Sequence, residues 1–122
     1  MASSRTTVMV IDDNEGWGEL LNRFLQGFDC LVVSTQGDTE SLRRAEELNP
    51  SAIILDVMMP DKDGWEILQR FRALPATANV PIIVCSVFND PQLAYSLGAS
   101  AFISKPTDQK IILEALKQLG VI

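Results

Sequence analysis

Histidine is absent from the 122 residues, and that one absence removes more chemistry than any other count. Ser-His-Asp and Cys-His catalysis, His-ligated metals and a phosphohistidine on this chain are all excluded. Cysteine is scarce. Cys30 and Cys85 stand far apart without CxxC spacing, each inside an apolar run, so the expectation is two small buried hydrophobes in a reducing compartment. No apolar run approaches the length that spans a bilayer, and residues 1–7 lack the long apolar stretch of a signal peptide. A soluble cytoplasmic protein with no membrane contact is expected. Positive charge is also short, with ten Lys and Arg against sixteen Asp and Glu and a net charge of −6. Phosphate-backbone affinity rests on Lys and Arg, so direct nucleic-acid binding is not expected. A hard cation held by oxygen ligands remains open.

The residues present support a real core. The apolar fraction is 47%, and a chain of this length buries roughly two-thirds of its unfolded surface as one domain, taken as residues 1–122. Four apolar runs end in polar residues: Val8–Ile11 before Asp12-Asp13, Ala52–Leu55 before Asp56, Ile82–Cys85 before Ser86, and Ala101–Ser104 before Lys105-Pro106. Continuous apolar runs of this kind read as strands buried on both faces of a parallel sheet, where ligands bind outside the carboxyl ends.

Cys30–Val33 adds a fifth strand. Between the strands the spacing predicts helices. The first runs from a cap at Asn14 or Asp13 to about Leu25, with Gly27 ending it. The second opens at Gly37-Asp38-Thr39 and stops at Asn49-Pro50. A loop over 57–64 precedes the third, which carries Trp65, Ile67, Leu68 and Phe71. Asp90-Pro91 starts a short fourth helix that Gly98 ends, and Asp108 starts a fifth with Ile111, Ile112, Leu113, Leu116 and Leu119 as its apolar stripe. This alternation argues an α/β fold, a doubly wound five-stranded parallel sheet with helices on both faces.

Each polar residue has an ordinary explanation taken alone. Asp12, Asp13 and Asp56 can cap helices, Ser86 can be a turn serine, and Lys105 can be a solvated loop lysine. Two adjacent acids are harder to explain, because only one can occupy a cap and the other is repelled. A carboxylate at a buried strand end must be paired, hydrogen-bonded or protonated. The joint pattern at four strand ends points to one pocket. Clustered carboxylates favour a divalent cation with oxygen preference, and Mg²⁺ suits because it keeps waters and shares a phosphate oxygen. A cation with an ammonium neutralises an incoming phosphoryl group, which lets a carboxylate act as nucleophile. The product would be an aspartyl phosphate, and the Ser86 hydroxyl could donate to it.

Over essentially its whole length the sequence resembles the receiver domain of two-component response regulators. The resemblance rests on Asp12-Asp13-Asn14-Glu15, on Leu55-Asp56-Val57-Met58-Met59-Pro60-Asp61-Lys62-Asp63-Gly64, and on Ser86, Gly98-Ala99 and Lys105-Pro106, in order and spacing. It implies a flavodoxin-like (CheY-like) strand order 2-1-3-4-5 and Asp56 as phosphoacceptor. It implies Mg²⁺ on Asp13, Asp56 and the Met58 carbonyl, with Asp12 assisting through water. Lys105 would pair with the phosphoryl group, Ser86 and Phe102 would be the switch residues, and Lys105-Pro106 would be a cis peptide. A histidine kinase or phosphotransfer protein would be the donor, and an output domain or protein the recipient of the signal. No output domain follows Ile122 in this sequence, so a stand-alone receiver and a piece of a longer regulator both remain open.

Two departures accompany the resemblance. The stretch from Ser86 to Lys105 is short for the family by about one helical turn, at the fourth helix, which alters the face formed by that helix with the last strand and helix. Phe102 stands where tyrosine is commoner. Other classes fit less well. A pseudo-receiver working without phosphorylation would be expected to have lost one of Asp13, Asp56, Ser86 or Lys105. A haloacid-dehalogenase phosphatase needs an acid two residues after its nucleophile, where this chain has Met58. Gly16-Trp17-Gly18 lacks the third glycine of a dinucleotide fingerprint.

Overall fold

The computed structural model describes residues 6–36, 39–60 and 62–122. The Gly37-Asp38 opening of the second helix, Asp61 of the loop motif and residues 1–5 lie outside the described residues. In chain order the first elements are β1 (Thr6–Ile11), α1 (Glu15–Phe24), β2 (Cys30–Thr35), α2 (Thr39–Leu48) and β3 (Ala52–Leu55). There follow β4 (Met58–Met59), β5 (Lys62–Asp63), α3 (Gly64–Ala73), β6 (Ile82–Ser86), α4 (Pro91–Ser96), β7 (Ala101–Ser104) and α5 (Gln109–Gln118).

Five strands pair in parallel in the order β2-β1-β3-β6-β7. With the two-residue strands β4 and β5 set aside, this is the expected 2-1-3-4-5 order. Side chains alternate across a strand, and the central runs are apolar at every position because helices cover both faces. Met9, Ile11, Ile53, Leu55, Ile82 and Val84 pack with Ala45, Leu68, Phe71 and Ala94 of α2, α3 and α4. Val8, Val10, Ala52, Ile54, Ile83 and Cys85 pack with Leu21 of α1, with its C-cap Leu25, and with Ile112 and Leu116 of α5. Both cysteines are buried.

The expected loop over 57–64 contains more order than predicted. Met58 pairs with Asp63 and Met59 with Lys62 in an antiparallel ribbon, and two residues per strand are too few to show a period. Asp63 also caps α3, accepting from the backbone N–H groups of Trp65 and Glu66 at 3.1 and 3.2 Å. Ile111 leaves the predicted stripe. It is 44% exposed, because the sheet covers only the arc of α5 centred on Ile112 and Leu116.

Helix α4 is held short at both ends. Asp90 accepts from the Leu93 N–H at 3.1 Å, and Gly98 turns the chain at φ 109°, a left-handed conformation that glycine enters without a Cβ penalty. Arg72 ties this turn to α3. Its Nε donates to the Gly98 carbonyl at 2.7 Å, and Nη1 donates to the carbonyls of Thr77, Ala78 and Val80 at 3.2, 3.1 and 2.6 Å. Nη2 donates to Ser100 Oγ at 3.2 Å. Arg72→Met keeps the stem but takes this donor from the carbonyls of Gly98, Ala78 and Val80, while Thr77 O keeps the Val80 N–H and Ser100 Oγ the Ile82 N–H; urea denaturation should show a loss of about 2–3 kcal/mol. A loss below about 0.5 kcal/mol would mean that water replaces the guanidinium.

Candidate functional site

The ends of β1, β3 and β7 bring the polar clusters into one pocket. Ile11 and Leu55 are register partners, so the next residues, Asp12 and Asp56, leave the sheet side by side. Their backbones stay in the ladder, with the Asp12 N–H donating to Thr35 O at 3.1 Å and the Asp56 N–H to Ile11 O at 2.9 Å. Both residues are buried, Asp12 at 5% exposure and Asp56 at 8%. Each fixes one carboxylate oxygen on the backbone two residues on: Asp12 Oδ1 accepts from Asn14 N–H at 2.9 Å, and Asp56 Oδ1 from Met58 N–H at 2.9 Å. The adjacent Asp13 is exposed. Asp12, Asp13 and Asp56 each offer a carboxylate oxygen within 4.8 Å of the others.

Lys105 supplies the opposing charge. Ser86 and Ser104 are partners across β6 and β7, and Lys105 follows, its N–H donating to Ser86 O at 2.9 Å. Its ammonium lies 2.6 Å from Asp12 Oδ2 and 3.4 Å from Asp56 Oδ2. Burial favours the neutral amine, but the hydrogen bond to Asp12 and the charge of Asp56 outweigh it and raise the Lys105 pKa. The stabilisation from this lysine is therefore present below the ordinary lysine pKa and is lost as pH rises through its higher folded value. Burial also pushes the Cys85 thiol up to about 12, so this thiol, close to the pocket, is neutral and a poor nucleophile.

The remaining expected residues sit around this centre. Ser86 is wholly buried, its Oγ accepting from the Phe88 N–H at 3.2 Å. Met58 is half exposed on the ribbon. The Lys105-Pro106 peptide is cis. Phe102 lies outside the acid pocket, partly buried against the core beneath α2, α3 and α4.

Two further contacts shape the surroundings of the pocket. The Trp17 ring lies under the Lys105 ammonium, 4.7 Å from centroid to Nζ; no linear pattern announces that contact. Asp63 had a signal, since Asp-x-x-Glu before an apolar run is a helix-start pattern.

Residues 8–117 match the family model of the response regulator receiver domain. The chain belongs to that family. This receiver is 31% identical over 124 residues to the transcriptional regulatory protein GltR of Pseudomonas aeruginosa, covering 98% of this chain and 50% of GltR. It is 30% identical over 122 residues to hybrid signal transduction histidine kinase L of Dictyostelium discoideum, covering 93% of this chain and 7% of that protein. The receiver thus spans half or less of these two relatives. In fold it matches the chemotaxis response regulator CheY4 of Vibrio cholerae with a TM-score of 0.85 at 24% identity, over 95% of this chain and 99% of that one. Among the described residues, no helix is long and apolar enough to cross a membrane.

Proposed function

We propose that this receiver is a phosphorylation-controlled switch with Asp56 as phosphoacceptor. The observation that carries this reading is the buried carboxylate pair Asp12 and Asp56 bridged by the Lys105 ammonium at 2.6 and 3.4 Å. A carboxylate oxygen of Asp56 attacks the phosphorus of a phosphohistidine, the N–P bond breaks, and an acyl phosphate forms. Water later cleaves the acyl phosphate, returning the carboxylate and inorganic phosphate. Lys105 pairs with the new phosphoryl oxygens. The Ser86 hydroxyl donates to one of them, and Phe102 repacks with that movement.

The donor set is all oxygen, which fits Mg²⁺. Asp12, Asp13, Asp56 and the Met58 carbonyl would hold it, and when bound it supplies positive charge against the incoming phosphoryl group. The donor is a histidine kinase or phosphotransfer protein, on another molecule or domain because this chain has no histidine. The recipient is an output domain or partner protein, reached in the cytoplasm. The activity is that of a signalling switch, limited to its own phosphotransfer and slow self-dephosphorylation.

Incubation of the full chain with Mg²⁺ and acetyl phosphate should add one phosphoryl group by intact mass, and chelation by EDTA should prevent it. No adduct with Mg²⁺ present would overturn the reading. Trp17 and Trp65 both sit in the first turns of helices beside the acidic loops. Titration with Mg²⁺ to millimolar concentration should therefore change the intrinsic fluorescence, and a flat titration would count against this placement.

A further inference from the structure

We propose that Trp17 is a positioning residue for Lys105, one that cradles the ammonium on its indole face so that it can pass from Asp12 to a phosphoryl oxygen on Asp56. The proposal rests on the phosphoacceptor reading above. The Lys105 side chain is only 17% exposed, so water reaches little of it. Asp12 and Asp56 occupy two directions around Nζ, and the Trp17 ring occupies another at 4.7 Å. Indole is the best of the ring partners for a cation. Its attraction is spread over the face and needs no particular N–H direction. A third carboxylate would hold the N–H donors as well as the charge; the ring holds only the charge and leaves the donors free to change acceptor.

Trp17 is itself well anchored. Its backbone N–H donates to Asn14 O at 3.1 Å, Asn14 Oδ1 caps the helix through Gly16 N–H at 3.0 Å, and the Trp17 side chain packs on the core that includes Leu21 and Ile112. Without the ring, Lys105 regains rotamer freedom and stays with its nearer partner Asp12, away from the reacting oxygen.

The test compares the full chain with Trp17→Phe and Trp17→Leu, using acetyl phosphate and Mg²⁺ and following adduct formation by intact mass. Trp17→Leu should slow phosphorylation about 3- to 10-fold, while Trp17→Phe, which keeps a ring, stays within about 2-fold. Equal rates for wild type and Trp17→Leu would overturn the proposal, and so would equal slowing by Leu and Phe, which would indicate packing alone. No adduct on any form, wild type included, would remove the phosphoacceptor reading and this proposal with it. A second readout is independent of turnover. In Trp65→Phe protein, where Trp17 is the sole tryptophan, adding Lys105→Met should shift the emission, and an unchanged spectrum would overturn the contact on which the proposal stands.

Discussion

Asp56→Asn is expected to lose the covalent phosphoryl group completely while keeping the fold. The amide nitrogen has no available lone pair, and the amide oxygen carries too little negative charge to attack phosphorus. The substitution is otherwise gentle. Asn has the size of Asp, and its oxygen can still accept the Met58 N–H that now lies 2.9 Å from Oδ1. Its NH₂ then faces Lys105, which retains its 2.6 Å bond to Asp12. Losing the longer ion pair is partly offset by relief of repulsion among three clustered acids, so stability should stay within about 1 kcal/mol of the parent. Intact mass after acetyl phosphate treatment, with a urea melt beside it, checks both halves. An adduct on the Asn form would place the nucleophile elsewhere.

Gly64→Ala is expected to be the most damaging small substitution near the site. A Cβ at this position would fall on the Cα of Val57 and stand 2.8 Å from its carbonyl carbon and oxygen. All three are backbone atoms, so no rotamer change relieves the clash. Val57 joins Asp56 to Met58, and Gly64 is the first residue of α3. Either the helix start moves or the Asp56 loop does. Overpacking in a core ordinarily costs about 1–3 kcal/mol, and a backbone clash belongs at or above the upper end, about 3–4 kcal/mol. Urea denaturation should show that loss, together with slower phosphorylation because the Met58 N–H no longer fixes Asp56. Parent-like stability would mean that the two segments separate freely.

The sheet is readable because the runs Val8–Ile11 of β1, Ala52–Leu55 of β3 and Ile82–Cys85 of β6 are buried on both faces and therefore apolar without interruption. Strand ends were harder to read. Ser34 and Thr35 extend β2 opposite Val10 and Ile11 through backbone bonds, which polar side chains make as well as apolar ones. In the sequence Asp13 and Asn14 are equally good caps for α1; Asn14 fills the position, leaving Asp13 beside the other acids. Asp12, Asp56 and Lys105 were legible as a group because charged residues after buried strands need partners. Trp17 was not, since its apolar spacing in α1 suits a core residue equally well, and only the tertiary fold decides which side chain lies over its ring.

What defines this switch is where the phosphoryl group lands. The most direct measurement is to treat the full chain with acetyl phosphate and Mg²⁺, trap the acyl phosphate by borohydride reduction, and map the modified residue by peptide mass spectrometry. A single modification is expected, on Asp56, absent when EDTA is present. Modification of Asp12, Asp13 or any other residue in place of Asp56, or none at all, would contradict it.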